Sequence, residues 1–365
     1  MPDSIRYYRL IPLSPVHIGS GERLAPEEYD IIDSHLVRFN SSSVLRAMTH
    51  SERQRYMGMV DQNKLTEALG LLREVFRRAL KDKASRAEMY RVRLGADSRR
   101  ELGEAVARSE TRKGEVQSLL RNPYTGSVII PGSAIKGAIR TATLSQLIEG
   151  RLEEVRRDVE AAQKWKDTVL EESGFEYKRR ETERDPMRVL EVSDGQWPAE
   201  GVQIDKPSLR KLGRDEGKTS GVQIHTERLL SQADSVPPPS CVITLQLNED
   251  LLRHRWTSGV FDKLSLDWFE YWCNRFFGQR LHDEWDRFKN LFGNQGPWFP
   301  NPKKGDVLLR VGRYCHFESL SVDGLRRSYN VRTKTQITAG STRTVCPLNA
   351  GGIAPFGWVL LRRVG

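Results

Sequence analysis

The sequence has 365 residues and contains 58 Lys and Arg against 48 Asp and Glu, a formal net charge of +10. This length allows two domains or one elaborated domain, and it excludes the small scaffolds that need disulfides or metals to fold. The positive excess favours a polyanionic partner, with nucleic acid as the first candidate. Because no window approaches the ~20 apolar residues of a membrane span and the start lacks a signal-peptide core, we expect a cytoplasmic protein without membrane contact.

The four cysteines lie far apart and form no CxxC pair. We therefore expect reduced, mostly buried thiols, no metal and no cofactor, although a metal site assembled from distant ligands stays open at this point. These cysteines are Cys241, Cys273, Cys315 and Cys346.

The chain opens with strand character over residues 7–16, followed by a short segment with His17, Gly19, Ser20 and Gly21. A lone GxG of this kind is equally well explained as a glycine-permitted turn between strands. The sequence predicts a second strand over residues 31–39. From about residue 43 to 121 the pattern is helical and highly charged, which indicates an inserted helical block with a solvated basic surface.

The stretch of residues 127–142 joins a strand end, a turn and a cationic helix start. A run of β-branched residues ends at Pro131, and apolar residues then recur at helical spacing. Ser133, Lys136 and Arg140 fall at steps of three and four, so their hydroxyl and two cations share one helix face. Unpaired N–H groups at a helix start favour an anion, which makes this a candidate phosphate site.

Two glycines contribute to the same prediction, because Gly132 and Gly137 would let a ligand approach the backbone closely. The alternative is structural: the serine only caps the helix, the glycines form a turn and the cations are a solvated face. The segment is not a Walker A loop, since Ala138 follows Gly137 where that loop needs a lysine, and this argues against nucleoside triphosphate binding.

Farther along, residues 151–184 predict a long exposed helix or a partly disordered segment, and strand character returns at 187–192, 222–230 and 242–247. An aromatic-rich helix is predicted within 264–292, and its stripe of Trp and Phe is typical of a core. The last sixty residues are basic again and include Arg343. They end in a glycine-rich loop with Gly357 and Trp358 that either stacks bases or packs under a sheet, with packing favoured for the tryptophan.

Three separated stretches together resemble a known family. They are the opening segment at 10–21 with 28–33, the Pro-Gly-Ser, Lys-Gly, Arg pattern at 130–140, and the closing segment at 355–360. The chain resembles the RAMP superfamily of CRISPR systems and, within it, the Csm-type subunit that caps the 3′ end of the crRNA.

The resemblance implies an α+β fold with a ferredoxin-like (RRM-like) core. This core would occupy residues 1–200 with the helical insertion at about 43–121, and residues 201–365 would form a second α+β half. It also implies a place in a type III-A effector complex, with crRNA and target RNA, the Csm backbone RAMP subunit and the small helical subunit as partners.

Carried over to this sequence, the resemblance implies crRNA phosphate contacts from the 130–140 motif, with the glycine loops at 19–21 and 351–357 nearby. The full set of candidate RNA-binding residues is Gly132, Ser133, Lys136, Gly137, Arg140, His17, Gly19, Ser20, Gly21, Arg343, Gly357 and Trp358.

Catalysis is the main alternative, because backbone RAMP subunits cut target RNA through a loop aspartate and other RAMP proteins process crRNA with a general base. The comparable loop here offers Glu22, Glu27, Glu28 and Asp30, none of them in a backbone-subunit context. His17 is the candidate base, and we expect it to be structural or RNA-contacting, although His225 or Lys136 could meet it in the fold. A RAMP endoribonuclease, a backbone subunit of a related type III complex and a basic protein-binding scaffold therefore stay open.

Overall fold

The computed structural model describes residues 4–110, 114–162, 166–176, 178, 185–211, 219–221, 224–235, 237–253, 264–292, 302–325, 328–330, 335–337 and 339–364. Helices and strands are mixed along the chain, which confirms the α+β prediction. The helices are α1 (Ser41–Ala47), α2 (His50–Asp61), α3 (Leu65–Ala79), α4 (Ala96–Ala107), α5 (Gly132–Ile148), α6 (Leu152–Ala161), α7 (Lys166–Phe175), α8 (Glu249–Arg253), α9 (Leu266–Phe292) and α10 (His316–Leu320).

The first ten strands are β1 (Ile5–Pro12), β2 (Gly19–Leu24), β3 (Tyr29–Ile32), β4 (His35–Phe39), β5 (Glu88–Leu94), β6 (Val116–Leu119), β7 (Val128–Ile130), β8 (Leu190–Val192), β9 (Gly195–Trp197) and β10 (Val202–Asp205). The others are β11 (Ser208–Lys211), β12 (Thr219–Gly221), β13 (His225–Leu229), β14 (Cys241–Leu247), β15 (Val307–Arg310), β16 (Ser328–Asn330), β17 (Thr335–Ile337), β18 (Thr342–Pro347), β19 (Ile353–Pro355) and β20 (Trp358–Val364).

A five-stranded antiparallel sheet brings the two ends of the described chain together, in the order β15-β20-β1-β14-β8. Side chains alternate between the faces of a strand, and in β1 this buries Tyr8 and Leu10 while Tyr7 and Arg9 stay exposed. Helices α5 and α9 pack on each other and on β15, so they cover one side of this sheet.

The second large sheet has seven strands in the order β2-β6-β13-β10-β5-β4-β3. Its strands β5 and β6 lie within the block at 43–121, so the described residues of that block form two strands besides α1 to α4. The strand predicted at 31–39 is a hairpin instead, because Asp33 and Ser34 adopt positive φ angles of 47° and 68° and turn the chain between β3 and β4. Strand β2 forms one edge of the sheet and exposes five of its six residues.

Most of the core is one continuous cluster that spans both large sheets and α9. The aromatic stripe of α9 is core as predicted at Phe276, Phe288 and Phe292, whereas its tryptophans are only partly buried. A smaller core lies between β4 and helices α1 and α3. Within the segment at 151–184, for which one long exposed helix or partial disorder was predicted, the described residues form two short helices, α6 and α7. Residues 163–165, 177 and 179–184 of this segment lie outside the described residues.

All four cysteines are free and buried, as predicted. None of the helices in the described parts of the chain is both long and apolar enough to cross a membrane. The division of the chain near residue 200 stays a prediction.

Candidate nucleic-acid interface

The predicted phosphate site begins where β7 ends and α5 starts, and here Gly132 serves the packing of the fold. A Cβ at this position would lie 2.2 Å from the carbonyl oxygen of Val192, so no larger residue fits without a shift of backbone. The Gly132 N–H donates a 2.7 Å hydrogen bond to the Asp194 carboxylate. Because this carboxylate already occupies the donor at the helix start, the donor is not available to a phosphate.

The next turn of α5 presents an accessible strip of three predicted residues. Ser133 and Gly137 are exposed, Lys136 is half-buried, and nothing lies within 4 Å of a Cβ placed at Gly137. Burial lowers the pKa of Lys136. Within the described ranges Lys136 has no ion pair, so its ammonium is available to an anion.

Arg140 lies one turn farther along and is already paired. Its guanidinium contacts the carboxylates of Glu171 at 2.9 Å and Asp185 at 2.8 Å, and it lies 4.6 Å from the ring centre of Phe175. Burial alone would lower the pKa of Arg140, but the two carboxylates raise it above its ordinary value. Arg140 was predicted to contact phosphate, whereas these contacts indicate that it links α5 to α7.

A second site is a cleft of about 320 Å³ between the start of β2, β6 and the turn after β15. It is lined by His17, Ile18, Gly19, Gly21, Glu22, Arg23, Gln117, Ser118, Gly312 and Arg313. The structure therefore brings together the predicted glycine segment and a turn that the sequence analysis did not assign.

Backbone hydrogen bonds hold three distant segments together behind this cleft. The Arg313 N–H donates to the carbonyl of His17 at 2.8 Å, and the Val311 N–H donates to that of Gly357 at 2.8 Å. The Gly357 N–H in turn donates to the carbonyl of Pro15 at 2.8 Å. The closing glycine loop thus supports the cleft from behind.

Two glycines make this close approach possible. Gly312 has a φ of +87°, and a Cβ there would lie 2.4 Å from the carbonyl oxygen of His17. Gly357 has a φ of +100°, and its Cβ would lie 2.6 Å from the Cys315 sulfur. Positive φ is readily available only to glycine. The signal for Gly312 and Arg313 was a single glycine two residues after a buried strand, which is too common to single out.

His17 lies in the wall of the cleft, 2% exposed, and its Nδ1 is 2.7 Å from the Glu227 carbonyl oxygen. Because a carbonyl only accepts, Nδ1 carries the proton and Nε2 is an unprotonated acceptor. Burial, assisted by the nearby Arg313 charge, lowers the pKa of His17 to about 4. The ring is therefore neutral at pH 7.

The rim of the cleft is polar and exposed. Ser20 and Gly21 lie at the surface, and the Ser20 hydroxyl accepts a hydrogen bond from the Glu22 N–H. Arg23 pairs with Glu115 at 2.9 Å. Arg313 is exposed and pairs with no carboxylate among the described residues, so it is the cation of this rim that can receive a phosphate.

Arg343 and Trp358, both assigned to RNA contact from the sequence, are buried instead. Glu284 accepts hydrogen bonds from Arg343 Nε at 2.5 Å, from Trp358 Nε1 at 2.7 Å and from Arg310 Nη2 at 2.9 Å. Arg343 also pairs with Glu318 at 3.0 Å. With 2% and 0% of their surfaces exposed, Arg343 and Trp358 support the fold and present no surface to RNA.

The carboxylates considered for catalysis lie in different surroundings. Asp30 is fully buried and receives two hydrogen bonds from Arg77, and Glu28 pairs with Arg38 at 2.9 Å.

His225, proposed as a distant partner of His17, is 2.9 Å from the Ser98 hydroxyl. Over the described residues, no cluster of three His, Cys, Asp or Glu side chains could hold a metal ion.

Comparison with known proteins gives a consistent picture. The sequence profile of the RAMP superfamily matches residues 9–245. The CRISPR system Cms protein Csm5 of Mycobacterium tuberculosis, from strains CDC 1551 / Oshkosh and ATCC 25618 / H37Rv, is 28% identical over 145 residues. This alignment covers 38% of the chain and spans 38% of the length of these curated relatives.

Two solved structures share the fold. One is a chain in the cryo-EM structure of a Csm–crRNA–target RNA ternary complex of a type III-A CRISPR-Cas system, with a TM-score of 0.65 and 15% identity over 98% of this chain and 100% of that chain. The other is the crystal structure of T. onnurineus Csm5, with a TM-score of 0.59 and 17% identity over 97% of this chain and 100% of that chain.

Proposed function

The chain belongs to the RAMP superfamily, and from this premise we propose that it is a non-catalytic crRNA-binding subunit of a type III-A Csm effector complex. In this role it caps the 3′ end of the crRNA and aids assembly and crRNA maturation in antiviral defence. The similarity to Csm5 over 145 residues and the shared fold with a chain of a Csm–crRNA–target RNA complex support the proposal.

The observation that carries the RNA-binding part is the glycine-lined cleft with Arg313 on its rim. Gly19, Gly21 and Gly312 line it without side chains, so a sugar-phosphate backbone can approach the protein closely. The exposed Arg313 supplies positive charge beside these glycines. We add the strip of Ser133, Lys136 and Gly137 on α5 as a second place for phosphate contact.

The partners follow from the same premise. We propose crRNA and target RNA as nucleic-acid partners, and the Csm backbone RAMP subunit and the small helical subunit as protein partners, in the cytoplasm. Within the chain, residues 1–200 would form the ferredoxin-like core with its insertion at about 43–121, and residues 201–365 the second half.

The alternative function is a RAMP endoribonuclease, and the observation in its favour is the unprotonated Nε2 of His17 in the cleft. A general base works best when its pKa is near the operating pH, and burial lowers that of His17 to about 4. The nitrogen is thus a weak base at pH 7. This weak basicity of His17 favours RNA binding over catalysis.

The test is to incubate the purified chain with labelled crRNA and target RNA over a salt series, with and without Mg²⁺, and to score binding and cleavage together. A capping subunit binds without producing fragments, and its affinity falls steeply with salt as counterions compete. Fragments that disappear in His17→Ala would identify a nuclease. Absence of binding at low salt would favour a scaffold whose partner is another protein.

A further inference from the structure

The turn between β15 and α10 holds a bulky residue in the left-handed region of the backbone map. Tyr314 has a φ of 67°, although it is not glycine. This conformation brings the Cβ of an L-residue too close to the backbone, so it costs free energy and persists only where surrounding contacts over-determine it. Such strain is concentrated at binding and catalytic sites, so the contacts of Tyr314 indicate what its conformation supports.

The ring of Tyr314 supports the exposed cation of the cleft. Its centre lies 5.3 Å from Arg313 Cζ, within the range of cation–π attraction. The ring also packs against the buried ring of Phe356, with the two centres 5.0 Å apart and the planes at 54°. A guanidinium that rests on a fixed ring has less freedom to lose when it binds a phosphate, and this favours binding.

The hydroxyl of Tyr314 orients a second group of the cleft. It donates a 3.2 Å hydrogen bond to Gln117 Oε1. Gln117 is 3% exposed and lines the cleft, and its Nε2 donates to none of the described residues. Because the phenol holds Oε1, the NH₂ end of the amide is left for a ligand. A buried amide N–H without an acceptor is costly, and a ligand in the cleft supplies that acceptor.

These two groups require the same ligand chemistry. A guanidinium offers only donors, and the free end of the Gln117 amide also donates. Phosphate oxygens only accept, and they form strong hydrogen bonds with charged donors such as Arg313. The carboxylate among the lining residues, Glu22, is exposed, so solvent and salt screen its repulsion of a phosphate.

We propose that Arg313 and Gln117 form a phosphate clamp, in which the guanidinium and the amide N–H bind one phosphate of an RNA backbone, and that Tyr314 is its positioning residue. The inference rests on the proposed crRNA binding and adds Gln117 and Tyr314 to the residues that carry it. The strained conformation of Tyr314 holds both donors at the same cleft.

The experiment measures the affinity of the full chain for a labelled short RNA with the crRNA 3′ sequence, over a salt series and well below the melting temperature of each variant. Gln117→Met should weaken binding roughly three- to tenfold through one lost hydrogen bond. It should leave the slope of log affinity against log salt unchanged, because the amide is neutral. Arg313→Gln should weaken binding and also reduce this slope by about 1.

Two substitutions separate the ring of Tyr314 from its hydroxyl. Tyr314→Phe keeps the ring beside Arg313 and removes the bond to Gln117, so it should weaken binding by no more than Gln117→Met does, with the salt slope unchanged. Tyr314→Leu also removes the ring and should weaken binding by a further two- to fivefold, roughly. The control is Trp272→Leu, which removes a ring 4.9 Å from Arg275 Cζ, outside the lining of the cleft, and should leave RNA affinity unchanged.

A positioning role predicts that these effects are not additive. In a chain that already carries Gln117→Met and Arg313→Gln, Tyr314→Leu should cause no further loss of RNA affinity, because both groups that it positions are gone. The same loss in that chain as in the wild-type background would mean that Tyr314 acts only through the fold, and the positioning role would be wrong.

The two proposals fail in different ways. RNA binding that stays tight and unchanged in both Gln117→Met and Tyr314→Leu would overturn the phosphate clamp and leave the proposed function standing. Absence of RNA binding by the wild-type chain at low salt would remove the proposed function and, with it, this inference.

Discussion

Replacement of Arg343 by methionine separates a structural arginine from an RNA-binding one. Arg343 lies in the buried cluster with Glu284, 2.5 Å from Arg343 Nε, and with Glu318, 3.0 Å from Nη2. Burial alone would raise the pKa of Glu284, but Arg310 and Arg343 hold it below its usual range, so the carboxylate is charged and depends on these cations. Arg343→Met keeps the bulk and removes one of them.

Breaking a buried ion pair by removing one partner costs about 3–5 kcal/mol, because the remaining charge stays buried. Unfolding entropy of about 2.1 cal/mol/K per residue amounts to about 0.77 kcal/mol/K for a chain of 365 residues. A loss of about 4 kcal/mol therefore lowers the melting temperature by about 5 °C.

The assay is thermal unfolding followed by circular dichroism, with Arg100→Met as the matched control. Arg100 forms an ion pair with Asp97 in which the two side chains are 64% and 60% exposed. Such exposed pairs contribute about 0–1 kcal/mol, so the control should shift the melting temperature by no more than about 1 °C.

RNA affinity gives the second readout. Well below its melting temperature, Arg343→Met should bind crRNA within about twofold of the wild-type chain, with the same salt dependence, because a buried guanidinium neutralises no phosphate. A melting temperature equal to that of Arg100→Met, together with weaker RNA binding and a shallower salt slope, would refute the structural assignment.

Three further changes test other parts of the account. Lys136→Glu should weaken binding to all RNA sequences alike and reduce the slope of log affinity against log salt by about 1, as measured by filter binding. The control Lys289→Glu, on the exposed face of α9, should change neither quantity. A loss of affinity that depends on the RNA sequence would contradict a phosphate contact. Burial lowers the pKa of His225 to about 4, so its neutral form stabilises the fold fully above about pH 6.5, and this stability is lost as the pH falls towards 4. At pH 5.5 this loss of unfolding free energy is about 1.4 kcal/mol. Urea unfolding at pH 8 and pH 5.5 should therefore give a difference in unfolding free energy that is smaller by that amount in His225→Gln than in the wild-type chain. An equal difference in the two proteins would show that His225 does not titrate in this window. Gly312→Ala should destabilise the chain by about 1–3 kcal/mol and weaken RNA binding, because its Cβ would meet the His17 carbonyl. Gly351 has open space at a φ of +91°, so Gly351→Ala should cost only backbone strain of about 1–2 kcal/mol. Equal effects of the two substitutions on stability and on RNA affinity would contradict the close approach of Gly312 to His17.

Local patterns in the sequence were enough to predict a mixture of helices and strands, the helix after Pro131 and the buried cysteines, whereas the α+β fold was predicted from the resemblance. Strand β5 was missed because its alternation is carried by charged residues between apolar ones inside a long helical and charged block. A single strand was predicted at 31–39, where the structure has the hairpin of β3 and β4, because Asp33 and Ser34 are not the Asn-Gly or Gly-Gly pair that usually marks such a turn.

The candidate site was harder to predict, because whether a cation is free to bind phosphate depends on carboxylates that are distant in sequence. Nothing in the spacing of α5 shows that Arg140 pairs with Glu171 and Asp185, 31 and 45 residues later. Likewise, Arg343 resembled a surface cation until the fold placed it against Glu284. The cleft joins residues 17–23 to 117–118 and 312–313, a combination that only the tertiary structure provides.

Capping of the crRNA 3′ end is tested by locating the chain on the crRNA within an assembled type III-A complex. A photoreactive nucleotide would be placed at the 3′ end, the middle or the 5′ end of the crRNA, and crosslinks to this chain would be quantified after irradiation. For a capping subunit we expect strong crosslinking from the 3′ end, traced to peptides around His17–Glu22 or Arg313, and no cleavage of the crRNA. Crosslinks confined to the middle or the 5′ end would contradict it.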